Sequence, residues 1–265
     1  MDFRKIFDTI PEEFDKWRPR YCDKLFNDII EHSKLDSNKI ALEIGRGTGQ
    51  ATEPILKTGC SYLAIELGEN LAEFMKNKFN SYNNFQIVNA DFETYDFGKN
   101  RFDLVYSAAT FQWINEEIGY PKVYDMLKGG GTFAHFGTGM NPKMANEPVY
   151  IKIHEVYDEY FRPETDYREY LKQKNGHLQS YQEKMSYEDI FKKYGFIDVE
   201  YLYYDTTREF TADEYVSHIG THGDHISMQE PYKSKFYSGI KDAILSFDDK
   251  ITLYDRIMLH LARKP

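Results

Sequence analysis

The sequence predicts an α/β fold, a doubly wound open sheet of mainly parallel strands with helices on both faces. Three observations carry this. Short apolar runs alternate with amphipathic helical stretches from Ile40 to Phe136. A glycine-rich turn, Glu43-Ile44-Gly45-Arg46-Gly47-Thr48-Gly49, separates the first run from the first helix that follows it. Carboxylates, Glu66 and then Asp91, end the next two runs. Strands joined by helices run parallel through right-handed crossovers. Such a sheet binds ligands beyond the carboxyl ends of its strands, where these residues stand.

Taken in order, Phe3, Ile6, Phe7 and Ile10 are spaced as one helix before Pro11, and Leu25, Phe26, Ile29 and Ile30 as another. Between them, Pro19 forces extended backbone on Arg18. Ile40–Ile44 is an apolar strand, the glycine turn follows, and a helix begins at Ala51 and ends by Gly59. Tyr62–Glu66 is a strand and Leu71–Phe79 a helix. Phe85–Val88 and Phe102–Ser107 are strands, 117–127 is a helix, and Thr132–Phe136 is a strand that follows three glycines. Residues 139–195 break the rhythm and read as helical, with 186–194 a helix returning to the core. Strand-like runs at Ile197–Phe210 and Ile251–Lys264 flank helical segments at 211–219 and 231–247.

The chain has 265 residues, 41% of them hydrophobic, enough for a buried core. Its net charge of −10 and the lack of a dense Lys/Arg run disfavour a nucleic-acid partner, which needs a basic face. The same charge disfavours an anionic membrane surface, and no apolar run is long enough to span a bilayer. The first residues lack the apolar segment of a secretory signal, so a cytoplasmic protein is expected. Cys22 and Cys60 form neither a disulfide framework nor a zinc signature.

The spacing of the turn separates cofactors. A dinucleotide site wants G-x-G-x-x-G, with its third glycine at position 50; this chain has Gln50, and its glycine is at 49. A phosphate-loop lysine is missing. Glycines at 45, 47 and 49 let a ligand approach the backbone, and the following helix offers amides to an anion such as the carboxylate of S-adenosylmethionine. Glu66 suits a ribose, which both that cofactor and NAD carry. Asp91 with Phe92 suits an adenine edge and face, or Asp91 caps a turn. Ser107, Ala108, Phe111 and Trp113 follow the fourth strand, where the methyl group belongs; Trp113 reads equally as core packing.

These pieces resemble the class I methyltransferases, type 11 branch, which includes trans-aconitate methyltransferase-like proteins. The residues that carry it are Ala41–Thr52, Glu66, Asn89-Ala90-Asp91-Phe92, Phe102-Asp103-Leu104-Val105, Phe111-Gln112-Trp113, Arg18-Pro19-Arg20-Tyr21 and Leu261–Lys264. The resemblance implies a Rossmann-like sheet of seven strands, order 3-2-1-4-5-7-6, the last antiparallel, with a helical cap insertion. It implies S-adenosylmethionine as cofactor, with S-adenosylhomocysteine as product. It also implies Glu43 near the methionine amino group, Glu66 and Leu67 at the ribose, Asp91 at the adenine, and Arg18 and Tyr21 closing over the methionine end. Arg46 departs from the family, which has a small residue or Cys there; a cation of that length reaches the cofactor carboxylate or solvent. The expected organisation is an N-terminal helical segment (1–38) over the cofactor site, a core (39–138), a cap (139–195) and a C-terminal part of the sheet (196–265).

The acceptor is expected to be a small molecule. The exocyclic-amine methylases resemble one another in a D/N-P-P-Y segment where this chain has Ser107-Ala108-Ala109-Thr110. An acidic acceptor would need arginines, for which Arg162 and Arg168 are available. His222 and His225 are the candidate bases for a protonated acceptor, while His135 reads as a core histidine. No metal is assigned, because Gly220 and Gly223 break the helix that would align His218 with His222, and no H-E-x-x-H is present. A monomer or homodimer is expected. The rival readings are a non-catalytic binder of the same cofactor and a nicotinamide oxidoreductase.

Overall fold

The structure is a computed structural model that describes residues 3–162 and 186–265. Seven strands form one sheet in the order β3-β2-β1-β4-β5-β7-β6. They are β1 (Ile40–Ile44), β2 (Ser61–Glu66), β3 (Phe85–Asn89), β4 (Phe102–Ala108), β5 (Leu127–Met140), β6 (Ile197–Phe210) and β7 (Ile251–Arg263). β1 lies inside the sheet, parallel to β2 and β4, with Leu42 opposite Leu63 on one side and Val105 on the other. Its run, apolar but for the buried Glu43, suits a strand covered on both faces.

Side-chain alternation then builds two cores, one on each face. Ala41, Ala64, Leu104 and Tyr106 point to the face covered by α2 (Asp23–Ser33), α3 (Thr52–Leu56) and α4 (Glu69–Lys78), meeting Leu25, Ile29, Ile55 and Met75. Leu42, Ile65, Val105 and Phe133 point to the other, covered by α5 (Glu116–Met126) and the helix Tyr187–Lys193, meeting Val123, Met126 and Phe191. Asn115 and Ser186 cap these last two helices by accepting backbone N–H bonds.

β5 starts five residues earlier than the sequence predicts. The three glycines do not end a loop but lie inside the strand, where the pairing slips between Phe102↔Leu127 and Leu104↔Thr132. Gly130 adopts φ 77°, a left-handed conformation that lets the strand absorb the extra residues as a bulge. The last strand is antiparallel, as expected. Gly130 N donates to Lys264 O and Lys264 N to Gly131 O, while Asn141 N bonds Tyr254 O, so β5 and β7 run in opposite directions. Arg263 pairs with Asp198 and Arg256 with Asp205, which sets β6 against β7 in the same sense.

The described residues cluster into two compact units, the chain passing between them at Gly139/Met140, Tyr204/Asp205 and Arg256/Ile257. The first holds β1–β4, most of β5, the first part of β6 and the last part of β7. The second packs Pro148–Val156, Ala212–Ile219 and Tyr232–Leu245 around Tyr150, Ile153, Tyr215, Phe236 and Ile240. Thr211 and Glu214 form a capping box at its second helix. Arg208 grips Asp255 with two bonds of 2.6 and 3.1 Å. Arg162 forms a local ion pair with Asp158, and Arg168 lies outside the described residues. Among the described residues, no helix is long and apolar enough to cross a membrane.

Candidate functional site

The first unit carries a cavity of about 340 Å³ at the carboxyl ends of β1, β2, β3 and β4, the place a doubly wound sheet dictates. Its floor is the glycine turn. Gly45 has φ 61° and donates its N–H to Ile65 O (3.0 Å), while the Thr110 hydroxyl, from the loop after β4, donates to Gly45 O. The turn is thereby clasped between the ends of the two strands that flank β1.

Glu66 completes the clasp. One carboxylate oxygen accepts the Gly47 N–H (3.1 Å) and the other the Gly68 N–H (3.0 Å). Burial raises its pKa, against the pull of Arg46 and of those amides. Arg46 is 3% exposed and lines the cavity. Its Nε and Nη1 have no hydrogen-bond partner, and Nη2 stands 3.5 Å from Leu71 O, long for a hydrogen bond. Burial lowers its pKa, while the charges of Glu66 and Glu43 hold the proton on.

Glu43 lies beneath the turn, fully buried. Its Oε2 accepts from Thr52 Oγ1 (2.6 Å) and from the Tyr62 hydroxyl, which also meets the Tyr106 hydroxyl; its Oε1 has no partner. Burial raises its carboxyl to about 7, despite the opposing hydrogen bonds from Thr52 and Tyr62. A carboxyl raised on folding favours the fold most below its ordinary value of 4.5, and that contribution is lost as pH rises through about 7. Glu43→Gln is therefore expected to flatten the fall of Tm between those two pH values; an unchanged Tm profile would contradict the raised carboxyl.

Of the residues expected at the cofactor, Arg18, Tyr21, Gly45, Arg46, Gly47, Glu66, Leu67, Asp91, Phe92, Ala108 and Trp113 line the cavity. Arg18 lies over the rings of Phe7 and Phe14, and Tyr21 packs edge-on against Phe136. Asp91 has two engagements. Its Oδ1 accepts Glu93 N–H (2.9 Å), the turn-capping role, and its Oδ2 pairs with Arg4 (3.0 Å).

The structure does not bring Glu43, Gly49, Ser107 or Phe111 to the cavity wall. Gly49, at φ 84°, packs instead on Met75 and Phe79 of the adjoining helix. Ser107 alternates away from Ala108 and donates to Ile44 O (3.1 Å). Phe111 turns into the core against Tyr120 and Phe133. His222 and His225 belong to the second unit, where His225 is 1% exposed and both its ring nitrogens are engaged, by Ile219 O and the Tyr157 hydroxyl. His135 is a core histidine, its pKa lowered by burial, packed with His260 and Phe191.

Lining residues that the sequence did not assign to the cofactor include Arg4, Phe7, Phe14, Gln50, Thr110 and Thr138. The N-terminal ones follow Phe3–Thr9, a 3-10 helix, and α1 (Pro11–Trp17). Of these, Phe7 alone carried a sequence signal, its apolar spacing with Phe3, Ile6 and Ile10, which does not say what the apolar face covers.

Residues 42–135 match the family model described as "Methyltransferase domain". Over 125 residues the chain is 32% identical to Sterol 24-C-methyltransferase ERG6 of Saccharomyces cerevisiae, covering 45% of this chain and 33% of that protein. Over 76 residues it is 37% identical to rRNA adenine N-6-methyltransferase of Limosilactobacillus reuteri, covering 28% and 31%. The matched segment thus spans about a third of these curated relatives. The fold is shared with Phosphoethanolamine N-methyltransferase 2 of Haemonchus contortus, solved with S-adenosyl-L-methionine (TM-score 0.57, 18% identity, 100% of this chain and 60% of that one). Residues 42–135 are thus similar to methyltransferase domains, and the 3-2-1-4-5-7-6 sheet with the glycine turn at its cavity is a fold shared with a solved methyltransferase.

Proposed function

We propose that the protein transfers the methyl group of S-adenosylmethionine to a small-molecule acceptor. The observation that carries this reading is the cavity itself, lined by the glycine turn, the carboxylate of Glu66 fixed by two amides and the buried guanidinium of Arg46. A carboxylate has about four lone-pair sites. Glu66 spends one on each of two amides, which leaves the others for the ribose hydroxyls. Leu67 and Phe92 flank the nucleoside, and the adenine amino group takes the place of Arg4 at Asp91. Arg18 and Tyr21 cover the methionine end, above the Glu43 carboxyl; Ala108 and Trp113 border the sulfonium. The acceptor's lone pair attacks the methyl carbon in line, the C–S pair returns to sulfur, and S-adenosylhomocysteine leaves. Because the electrophile arrives activated, orientation supplies most of the rate.

Arg46 is the part of the site peculiar to this chain, and the methionine carboxylate is the oxygen pair its orphaned N–H groups call for. Arg46→Met is expected to weaken S-adenosylhomocysteine binding by about 10–100-fold in calorimetry, the worth of charge-assisted bonds. Methylthioadenosine, which lacks the carboxylate, should bind the variant as it binds the wild type. Equal losses for both ligands would remove the role.

The acidic net charge of −10 supports a small acceptor over a nucleic acid. Two free thiols, Cys22 and Cys60, suit a reducing, cytoplasmic compartment, and a monomer or homodimer is part of the same proposal. The test is S-adenosylhomocysteine formation from S-adenosylmethionine across a panel of small acids, phenols and amines, with NAD titrated in parallel. Product from any panel member supports the reading. Cofactor binding with no turnover favours a non-catalytic binder, and tight NAD binding without sulfonium binding overturns the cofactor.

A further inference from the structure

The second unit holds a cluster of side chains that can ligate a metal. His222, Asp224 and His225 each offer one ligand atom, and these three atoms lie within 4.8 Å of one another. We propose that they form a site for one divalent transition-metal cation of the zinc and cobalt class. The proposal stands apart from the cofactor site and needs no part of it.

The local backbone gathers the ligands. His222 is the N-cap of the short helix Gly223–Ile226, with extended φ/ψ of −77° and 136°, so the chain turns sharply between it and Asp224. Ile226 N donates to His222 O (2.9 Å), and Asp224 Oδ1 accepts the His225 N–H (3.0 Å), which orients the carboxylate. The helix before them stops at Ile219, with Gly220 as its C-cap. The helical break that argues against aligning His218 with His222 therefore stands. The ligands come from the turn after the break, and they include Asp224, which counting histidines alone passes over.

His225 is prepared as a ligand by its tautomer. Its Nδ1 lies 2.8 Å from Ile219 O, and a carbonyl oxygen only accepts, so Nδ1 carries the proton and the lone pair is on Nε2. A ring N–H held by a backbone carbonyl is the usual outer partner of a metal-binding histidine. Nε2 now accepts from the Tyr157 hydroxyl (3.1 Å). Cation binding exchanges that hydrogen bond for a metal–nitrogen bond. The ring itself is fixed by Phe161 and Phe236, with centroids 4.9 and 5.1 Å away. Bond lengths of about 2.0–2.2 Å set tetrahedral ligand atoms roughly 3.4 Å apart, so the triangle must tighten by at most about 1.4 Å. Two imidazoles and one carboxylate favour Zn²⁺, Co²⁺ or Ni²⁺ over Mg²⁺ and Ca²⁺.

The test is a titration of the metal-stripped, full-length chain with Co²⁺ near neutral pH, followed by visible absorption, with Zn²⁺ and Mg²⁺ in parallel calorimetric titrations. The proposal expects one saturable Co²⁺ site with d–d absorption, displaced by Zn²⁺, and no competition by Mg²⁺. His222→Asn and Asp224→Asn should each weaken Zn²⁺ at least about tenfold while circular dichroism stays that of the wild type. His222→Gln replaces any variant that does not fold. The absence of saturable binding, or wild-type affinity in either folded variant, overturns the site.

Discussion

Glu66→Ala is expected to weaken S-adenosylhomocysteine binding by at least about 100-fold, measured by calorimetry, because in the proposed role one side chain holds both the turn and the nucleoside. Its two amide bonds, to Gly47 and Gly68, are bonds to a charged acceptor worth about 1.5–3 kcal/mol each. Removing the carboxylate leaves those amides unmatched and takes a counter-charge from the buried Arg46. Glu66→Gln, which keeps one acceptor oxygen, should fall between the alanine variant and the wild type. Binding should also weaken as pH falls through the raised pKa of Glu66, since a protonated carboxyl offers fewer acceptors. An alanine variant within about threefold of wild type would show that the ribose is held elsewhere, since two charge-assisted bonds cannot vanish at so small a cost.

Gly45→Ala should be the most damaging single methyl group in the site. The backbone there sits at φ 61°, where an L side chain costs about 1–2 kcal/mol. The added Cβ would stand 2.7 Å from Thr110 Cβ, and overpacking of that kind costs about 1–3 kcal/mol. Thr110 has no room to retreat without releasing its hydroxyl from Gly45 O. The expected outcome is a Tm lower by roughly 5–15 °C, at about 2–4 °C per kcal/mol for a domain of this size, together with loss of cofactor binding. Adding Thr110→Ser removes the methyl group that clashes and should recover part of the Tm, the packing part but not the backbone part. A Gly45→Ala protein with wild-type Tm would mean that the turn relaxes freely and that its φ is not a requirement.

Much of the first unit was legible because its signals are local. Ile40–Ile44 and Tyr62–Glu66 are apolar runs bounded by turn residues, and both became strands at nearly those limits. The glycine turn and Glu66 are adjacent in space for the reason they are recognisable in sequence: consecutive parallel strands place their carboxyl ends side by side. Where the signal weakened, so did the reading. Three glycines look like a loop, yet their partners on β4 and β7 draw them into β5 as a bulge. After β4 the residues follow no single period, so Ser107 and Phe111 could not be told from their neighbours Ala108 and Trp113, which line the cavity.

The sequence by itself determined the sheet, the position of the glycine turn and the acidic residues that end β2 and β3, because strand periodicity and glycine's access to positive φ act within a few residues of chain. Only the tertiary structure decided which of those residues a ligand can reach. It sank Glu43 under the turn among Thr52, Tyr62 and Tyr106, turned Gly49 toward Met75, and lined the cavity with Arg4, Phe7 and Phe14 from the N-terminal segment. It also answered the question of Arg46, whose guanidinium is buried at the cavity rather than directed to solvent. Each of these depends on contacts between residues far apart in sequence, and burial, unlike periodicity, is a property of the packed whole.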